Sequence, residues 1–323
     1  MNEARDVKTG ELIEAESLKY IYEEGLSEYE CIDDSCKIKL IPSSYKPSNK
    51  NRPYFKSTKG VGHSDTCMFS EYLRMLEKGR KRELTAVELE DMPFPTKFEK
   101  AKKNEGGTIT NTSDLGDDEQ LSVSSTRRMA SGEFVETINK SKVVASISSI
   151  VDFYIKCPFN RDVELEIEGK KQEYKYWFKR IEKPLSIGKY NGKKLFFGRL
   201  HMSEKNMVET SEKLEITLYE CENWERKTRI RPSKQVNPFV VVIDKAAISK
   251  NKLSRIKSEL NYAIEDKKIA FKNKDVDKKR HAFVFFYGEA PVKGTPYKFK
   301  LIDGALVARY AQIYPTEGKK TAM

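Results

Sequence analysis

The chain has 323 residues, of which 38% are hydrophobic and 34% charged, so it is long enough for two domains and apolar enough to form a core. No run of about 18 apolar residues is present, which excludes a membrane-spanning helix. The residues after Met1-Asn2-Glu3 lack a basic stretch followed by an apolar one, so we expect no secretory signal. Five cysteines, an odd number, without an export signal argue against a disulfide framework and favour a cytoplasmic setting.

The net charge of +11 is unevenly distributed along the chain. Residues 161–323 contain 36 Lys/Arg and 22 Asp/Glu, whereas residues 1–160 contain 24 and 27. A basic half in a soluble protein favours a polyanionic partner, most often nucleic acid. The alternative is a lysine-rich, solvated surface that binds no such partner.

The N-terminal residues predict a hairpin, an irregular segment and a helix. Lys8–Glu11 has the composition of a turn between two short strands. Residues 31–67 are rich in Ser, Lys, Asn and Pro, and so long an irregular stretch is uncommon unless something ties it down. Ser64 is predicted to cap a helix that starts at Asp65. The apolar face of that helix would consist of Phe69, Tyr72, Leu73 and Leu76.

The irregular segment contains four residues that predict a metal site. Four residues separate Cys31 from Cys36, and three separate His63 from Cys67. Zinc favours four tetrahedral nitrogen and sulfur ligands, and four protein ligands leave no open coordination position. We therefore predict a structural zinc ion. The alternative is a set of ordinary buried thiols and a surface histidine.

Residues 1–70 contain a series of short motifs that also occur, in the same order, in a known zinc-binding module. These motifs are Thr9-Gly10-Glu11, Tyr29-Glu30-Cys31, Cys36 followed by Leu40-Ile41-Pro42, Arg52-Pro53-Tyr54-Phe55, and His63 to Cys67. The segment resembles the N-terminal zinc-finger module of competence-protein CoiA-like proteins. It departs from that pattern in its first spacing, four residues rather than the usual two, and in Lys56, which stands near where a histidine often follows the phenylalanine. The resemblance implies a zinc module in a protein associated with DNA, and it does not extend to the nuclease domain of that family.

Composition divides the chain into three parts. Residues 1–97 form the zinc-finger module with its following helix, residues 98–140 are polar and predict a flexible linker, and residues 141–323 form a basic, β-rich domain. The overall fold class is α+β. In the last part, helices are predicted near residues 143–155 and at Ala247–Ile264. The predicted strands are residues 163–167, Glu173–Ile181, Lys194–Leu200, Leu214–Tyr219, Phe239–Ile243, Phe283–Tyr287 and Tyr297–Ile302.

Three basic clusters in this domain favour nucleic-acid binding. If Glu173–Ile181 is a strand, Lys175, Trp177 and Lys179 share one face, where the ring could stack on a base; the alternative is a packed tryptophan surrounded by lysine stems. Basic loops beside aromatic strands favour an oligonucleotide-binding (OB) barrel. The second and third clusters are Arg226, Lys227, Arg229 and Arg231, and Lys278, Lys279 and Arg280.

The sequence predicts no catalytic residue. Asp162, Glu168 and Lys170 superficially resemble a restriction-type nuclease motif, but Glu168 and Lys170 fall in a predicted hairpin turn. We expect a zinc-containing, non-enzymatic protein that binds nucleic acid, with single-stranded DNA favoured, in DNA processing, mobile-element biology or anti-phage defence. The alternatives are a metal-dependent nuclease and an adaptor that binds an acidic protein partner.

Overall fold

The computed structural model is a mixed α+β structure that contains more strands than helices. It divides the chain into an N-terminal unit, Met1–Phe94 with Ala101–Lys142, and a C-terminal unit, Pro95–Lys100 with Val143–Met323. The predicted linker lies outside the described residues from residue 100 onward. The structure describes residues 3–46, 48–49, 51–65, 67–91, 94–99, 142–144, 147–182, 192–201, 206–221, 237–273 and 279–313. None of the helices within these ranges combines the length and apolar character that a membrane crossing requires.

The N-terminal unit is built on one antiparallel sheet with the strand order β2-β1-β3-β4-β5. The predicted hairpin is confirmed, because β1 pairs with β2 across the turn that contains Gly10. A small core formed by Ala4, Leu18, Tyr29, Leu40 and Phe55 lies on one side of the sheet. The elements are β1 (Glu3–Asp6), β2 (Leu12–Glu14), α1 (Leu18–Ile21), β3 (Tyr29–Glu30), β4 (Lys39–Ser43), β5 (Tyr54–Ser57), α2 (Met68–Lys81) and α3 (Ala86–Asp91).

The C-terminal unit contains a four-stranded and a seven-stranded sheet, with the orders β7-β6-β8-β9 and β10-β11-β15-β16-β14-β13-β12. Strand β6, which the sequence assigned to the end of the first module and the start of the linker, pairs with β8 of this unit. The elements are β6 (Pro95–Phe98), β7 (Lys142–Val144), α4 (Ile147–Lys156), β8 (Glu164–Ile167), β9 (Lys170–Glu173), α5 (Tyr174–Trp177), β10 (Phe178–Arg180), β11 (Lys193–Arg199), β12 (Met207–Glu209), β13 (Lys213–Cys221), β14 (Pro238–Asp244), α6 (Lys250–Lys272), β15 (Arg280–Glu289) and β16 (Lys298–Gln312).

Helix α6 packs on the large sheet. Ser249 caps its first turn by accepting a hydrogen bond from the Lys252 amide. Ile256 and Leu260 are buried against the sheet core, which includes Ile216, Val241, Phe286 and Phe299. Strand β14, and β13 as far as Glu220, alternate between buried and partly exposed residues, so one face supports the core and the other is accessible.

Over the residues that the structure describes, the large sheet contains a β-bulge and does not close into a barrel. The β15–β16 pairing shifts register near Gly288, where a Cβ atom would lie 2.5 Å from the Lys300 carbonyl oxygen, so only glycine fits this bulge. One isolated antiparallel bridge joins Leu200, after β11, to Leu218 on β13. Among the described residues β10 and β12 are the sheet's outer strands, and a closed barrel is not formed.

The predicted return strand Glu173–Ile181 is wrong. The β8–β9 hairpin turns at Glu168 and Gly169, which both have positive φ, as the turn prediction requires. Strand β9 then ends at Glu173, and α5 makes one helical turn before β10 begins. A single helical turn breaks the alternation on which the predicted face depended.

Candidate metal centre

The four predicted ligands lie together in the N-terminal unit. The ligand atoms of Cys31, Cys36, His63 and Cys67 are all within 4.8 Å of one another. Within the described ranges, no other group of three or more Cys, His, Asp or Glu side chains could hold a metal ion. Cys31 and Cys67 are buried, and Cys36 and His63 are half-buried. The clustering agrees with the ligand set that the sequence predicted.

The first cysteine pair is held by a turn that Asp33 organises. Cys31 follows β3 and donates its backbone N–H to the Ile38 carbonyl at 2.9 Å. The Asp33 carboxylate accepts hydrogen bonds from the Ser35 amide and hydroxyl at 2.8 and 2.7 Å. The Asp33 carbonyl also accepts from the Cys36 amide at 3.0 Å. This Asx-type turn folds the chain back so that both thiols face the same point.

The second pair lies at the start of α2. The sequence predicted a helix from Asp65 with Ser64 as its cap, but the helix begins at Met68 and Cys67 is the N-cap residue. Ser64 contributes its carbonyl instead, which accepts from the Cys67 amide at 3.0 Å. A thiol at a helix N-terminus is favourably placed to ionise, because the helix dipole stabilises negative charge there.

Three of the separations between ligand atoms match those of a tetrahedral zinc ion, and all four ligand atoms lie within 4.8 Å of one another. The Cys31 and Cys67 sulfurs are 3.7 Å apart, and His63 Nδ1 is 3.4 Å from the sulfurs of Cys36 and Cys67. Tetrahedral bonds of about 2.3 Å to sulfur and about 2.0 Å to nitrogen imply ligand separations of about 3.5–3.8 Å. Cys31 and Cys67 are free thiols and not a disulfide, which has a sulfur separation of about 2.05 Å.

The protonation preferences of the cluster differ from group to group. Burial raises the pKa of the Cys31 thiol to about 12. Burial also raises the pKa of Cys36, but hydrogen bonds from the Ser64 and Ile38 backbone outweigh it and the net shift is downward. Burial lowers the pKa of His63, which favours the neutral imidazole that metals bind. A bound cation supplies the positive charge that a buried thiolate requires.

The donor set favours a structural over a catalytic role. Three thiols and one imidazole are the soft and borderline ligands that zinc selects in tetrahedral sites. All four positions of a tetrahedron are filled by side chains, so none is left for a substrate or water. The geometry is therefore compatible with structural zinc, and it does not by itself identify the metal.

The predicted base-stacking platform is wrong. Trp177 is only 2% exposed, and its Nε1 donates to the Leu165 carbonyl at 2.7 Å. The Lys194 ammonium lies 5.3 Å from its ring centroid. The alternative of a packed tryptophan with lysine stems around it is confirmed, because the helical turn α5 rotates the ring inward. Neither face of the indole is available to a base.

The remaining predicted basic residues are only partly described. Lys175 is ion-paired with Glu173, and Lys179 is half-buried on β10. Lys279 is exposed, and the Arg280 guanidinium lies 4.8 Å from the Tyr310 ring centroid. These positions do not test nucleic-acid binding. The other predicted residues lie outside the described ranges: Arg226, Lys227, Arg229, Arg231 and Lys278.

The nuclease-like residues lie around a surface hairpin. Glu168 lies in the β8–β9 turn, as the sequence predicted, whereas Lys170 is the first residue of β9 and pairs with Ile167. The Glu168 carboxylate forms an ion pair with Lys193 at 3.0 Å. An ion pair of this kind is common on a solvated hairpin. It does not support the alternative of a metal-dependent nuclease.

Sequence reasoning missed two exposed basic positions in the C-terminal sheet. Lys298 and Lys300 are exposed on β16 and flank the fully buried Phe299. The signal was present, because Lys-Phe-Lys is the alternation of a half-buried strand.

Comparisons with known proteins give no relative from which a function could be transferred. No family model, no curated protein and no solved structure matches the chain.

Proposed function

We propose that the protein is a zinc-containing nucleic-acid-binding protein whose C-terminal unit holds a single strand, DNA in preference, on an OB-like sheet. The N-terminal metal centre is structural in this proposal. The resemblance of residues 1–70 to the CoiA-like zinc module, which implies association with DNA, favours the same function.

The observation that carries the proposal is the order of the strands. An OB fold is a five-stranded, partly open Greek-key barrel. The five long strands of the large sheet follow the chain order β11, β13, β14, β15, β16, with α6 after the third. Across the sheet they lie in the order β11-β15-β16-β14-β13, and the third and fifth are parallel. The Leu200–Leu218 bridge brings the first strand beside the second. This strand order, with the first strand beside the second and the third parallel to the fifth, is the order that we expect in a partly open OB barrel.

The accessible face of the second and third strands supports a binding role. In OB folds this face and the adjacent loops hold oligonucleotides. Val240 and Val242 on β14 lie directly beside Lys298 and Lys300 on β16, so an apolar strip is bordered by two exposed ammonium groups. A cavity of about 390 Å³ opens at this edge, lined by three lysines, two acidic residues and three others: Lys213, Lys298, Lys300, Glu212, Asp244, Val242, Thr295 and Phe299.

The charges on this face are available to phosphates. Lys298 pairs with Glu215 at 3.0 Å, but both side chains are partly exposed and such surface pairs are worth little. Asp244 is engaged as a cap, since its carboxylate accepts from the Ala246 amide. Phosphate oxygens could therefore replace Glu215 as the partner of Lys298 at small cost, while Lys300 extends the cationic border.

The test is a titration of the full chain with a fluorescein-labelled oligo(dT) of about 20 nucleotides over a range of salt concentrations. Affinity should fall steeply between about 50 and 200 mM salt, because bound cations release counterions from the phosphates. Lys298→Gln and Lys300→Gln should each weaken binding and reduce the magnitude of the logarithmic salt slope by about 0.7–1.

The matched control is Lys268→Gln on α6. Lys268 is also exposed and ion-paired to a glutamate, Glu265, but it lies on the helix and away from the sheet face. It should bind like the unmodified protein. A salt-independent affinity, or equal effects of all three substitutions, would contradict the proposed face.

A further inference from the structure

A second basic surface lies in the N-terminal unit, within a half of the chain that is acidic overall. Residues 1–160 contain 24 Lys/Arg and 27 Asp/Glu, yet residues 35–64 contain seven Lys/Arg and no acidic residue. The basic residues of this segment are Lys37, Lys39, Lys46, Lys50, Arg52, Lys56 and Lys59. A local excess of this kind creates a positive field around one hairpin, whatever the net charge of the unit.

The strands of this segment present two different faces. Leu40 and Phe55 are buried in the small core of the unit. The opposite side, here called the β4–β5 face, consists of Lys39, Ile41, Ser43, Tyr54 and Lys56. Register places Ile41 beside Lys56 and Ser43 beside Tyr54, so an aromatic ring, an aliphatic side chain and an ammonium group form one patch.

The side chains of the β4–β5 face are accessible. Tyr54 and Ile41 are 40% and 39% exposed, which is high for large apolar groups on a sheet. Lys56 is exposed, and Lys39 pairs at 2.6 Å with Glu28, which is itself exposed. β5 is also the outer strand of its sheet in the described part of the unit, so a ligand could approach from the side as well as from above.

The metal cluster closes both ends of this hairpin. Cys36 precedes the basic strands and His63 follows them, and their ligand atoms are 3.4 Å apart. A metal ion shared by these residues would hold the two ends together and fix the relative position of the strands. The face would then be rigid before binding, which reduces the entropy lost on association.

We infer that the β4–β5 face is a second contact site for single-stranded nucleic acid, which stacks a base on Tyr54 and places phosphates on Lys56 and Lys39. This inference deepens the proposed function and rests on it. An exposed ring beside lysines is the combination that holds single strands without reading sequence. The absence of acidic residues from the whole segment favours a polyanion with a regularly charged backbone over a folded protein partner.

The test uses the full zinc-loaded chain and the same labelled oligo(dT). Tyr54→Ala should weaken binding by about 5- to 150-fold, the range found when stacking on one base is lost. Lys56→Gln should reduce the magnitude of the logarithmic salt slope by about 0.7–1. The controls are Lys8→Gln, an exposed lysine of the same unit, and Tyr176→Ala, an exposed tyrosine of the C-terminal unit. Both should bind like the unmodified protein.

The outcomes separate this inference from the proposed function. If Lys298→Gln and Lys300→Gln weaken binding but Tyr54→Ala and Lys56→Gln do not, the inference is overturned and the proposed function remains. The reverse pattern supports the inference and overturns the proposed C-terminal face. A chain that does not bind oligo(dT) overturns both. Displacement of oligo(dT) by polyglutamate at equal charge concentration would identify an acidic polypeptide as the ligand and overturn the inference.

Discussion

Cys67 is both one of the four candidate metal ligands and the N-cap residue of α2. Its thiol is 3.7 Å from that of Cys31 and 3.4 Å from His63 Nδ1. Its carbonyl accepts the first bond of the helix, from Glu71, at 3.1 Å. A change at this residue therefore affects both the metal centre and the start of the helix.

We predict that Cys67→Ala abolishes stoichiometric zinc binding. Removing one of four ligands opens the site to water and lowers its affinity, and the metal supplies most of the folding free energy of a module with so small a core. Zinc content of the purified protein, measured by atomic emission, should fall from about one ion per chain to near zero.

Cys157→Ala is the matched control for this measurement. Cys157 is as fully buried as Cys67 but lies in the C-terminal unit, outside the cluster. The zinc content of the Cys157→Ala variant should remain at about one ion per chain. Equal zinc content in both variants would show that the four residues do not form the metal site.

Residue-scale prediction from the sequence succeeded for the cluster and failed for Trp177. The metal ligands could be predicted because the chain contains few cysteines and histidines and because the ligands form two pairs that are close in sequence, Cys31 with Cys36 and His63 with Cys67. The position of Trp177 depended on strand alternation through Tyr174–Trp177, and that segment is helical. No residue there breaks a strand, so only the surrounding packing could decide.

Among the elements, the β4–β5 hairpin has few buried side chains of its own, so we expect its order to depend mainly on the metal ligands that flank it. Two of its residues, Leu40 and Phe55, belong to the core cluster of the unit. Two buried side chains contribute only about 3–6 kcal/mol by transfer, which is small beside the conformational entropy of ordering some 20 residues. The hairpin should therefore be ordered chiefly by the metal.

We predict that a zinc chelator releases this hairpin selectively. Amide hydrogen exchange in β4, β5 and the Cys31–Ile38 turn should accelerate by several orders of magnitude, because apparent zinc-binding energies of about 10–16 kcal/mol are lost. Exchange in β15 of the C-terminal unit should not change, since its pairing with β11 and β16 involves no metal ligand.

Unchanged exchange in β4 and β5 after the metal has been removed would show that the hairpin is held by its own packing. The measurement needs a parallel zinc determination on the chelated sample, so that retention of metal is not mistaken for stability of the hairpin.

Most elements were predictable and their arrangement was not. β13 alternates in polarity, and residues Phe239–Ile243 of β14 form a short apolar run rich in β-branched side chains, so the existence of both strands follows from local sequence. The pairing of β11 with β15 joins segments almost 90 residues apart, and the parallel pairing of β14 with β16 spans α6. Such contacts are set by the competition of all strands for partners, which local patterns do not encode.

At the scale of the whole molecule, each unit is organised by a different kind of interaction. In the C-terminal unit, Arg309 on β16 bonds to Glu259 of α6 and Asp152 of α4, both at 3.0 Å. Removing one partner from a buried ionic network of this kind typically costs about 3–5 kcal/mol. This unit has a large apolar core as well, whereas the N-terminal unit has a small core and a metal cluster.

The distribution of charge differs between the halves of the chain and within the N-terminal half. The basic excess of residues 161–323 is plain in the sequence and supports the proposed C-terminal face. The average over residues 1–160 hid the basic stretch of residues 35–64, because acidic residues elsewhere in that half outweigh it.

Zinc-edge X-ray absorption of the full chain would show whether one zinc ion is shared by Cys31, Cys36, His63 and Cys67. We predict a tetrahedral first shell of three sulfurs at about 2.3 Å and one nitrogen at about 2.0 Å, with about one zinc per chain. A shell dominated by oxygen and nitrogen, or a chain that purifies and folds without zinc, would show that these four residues do not form a structural zinc site.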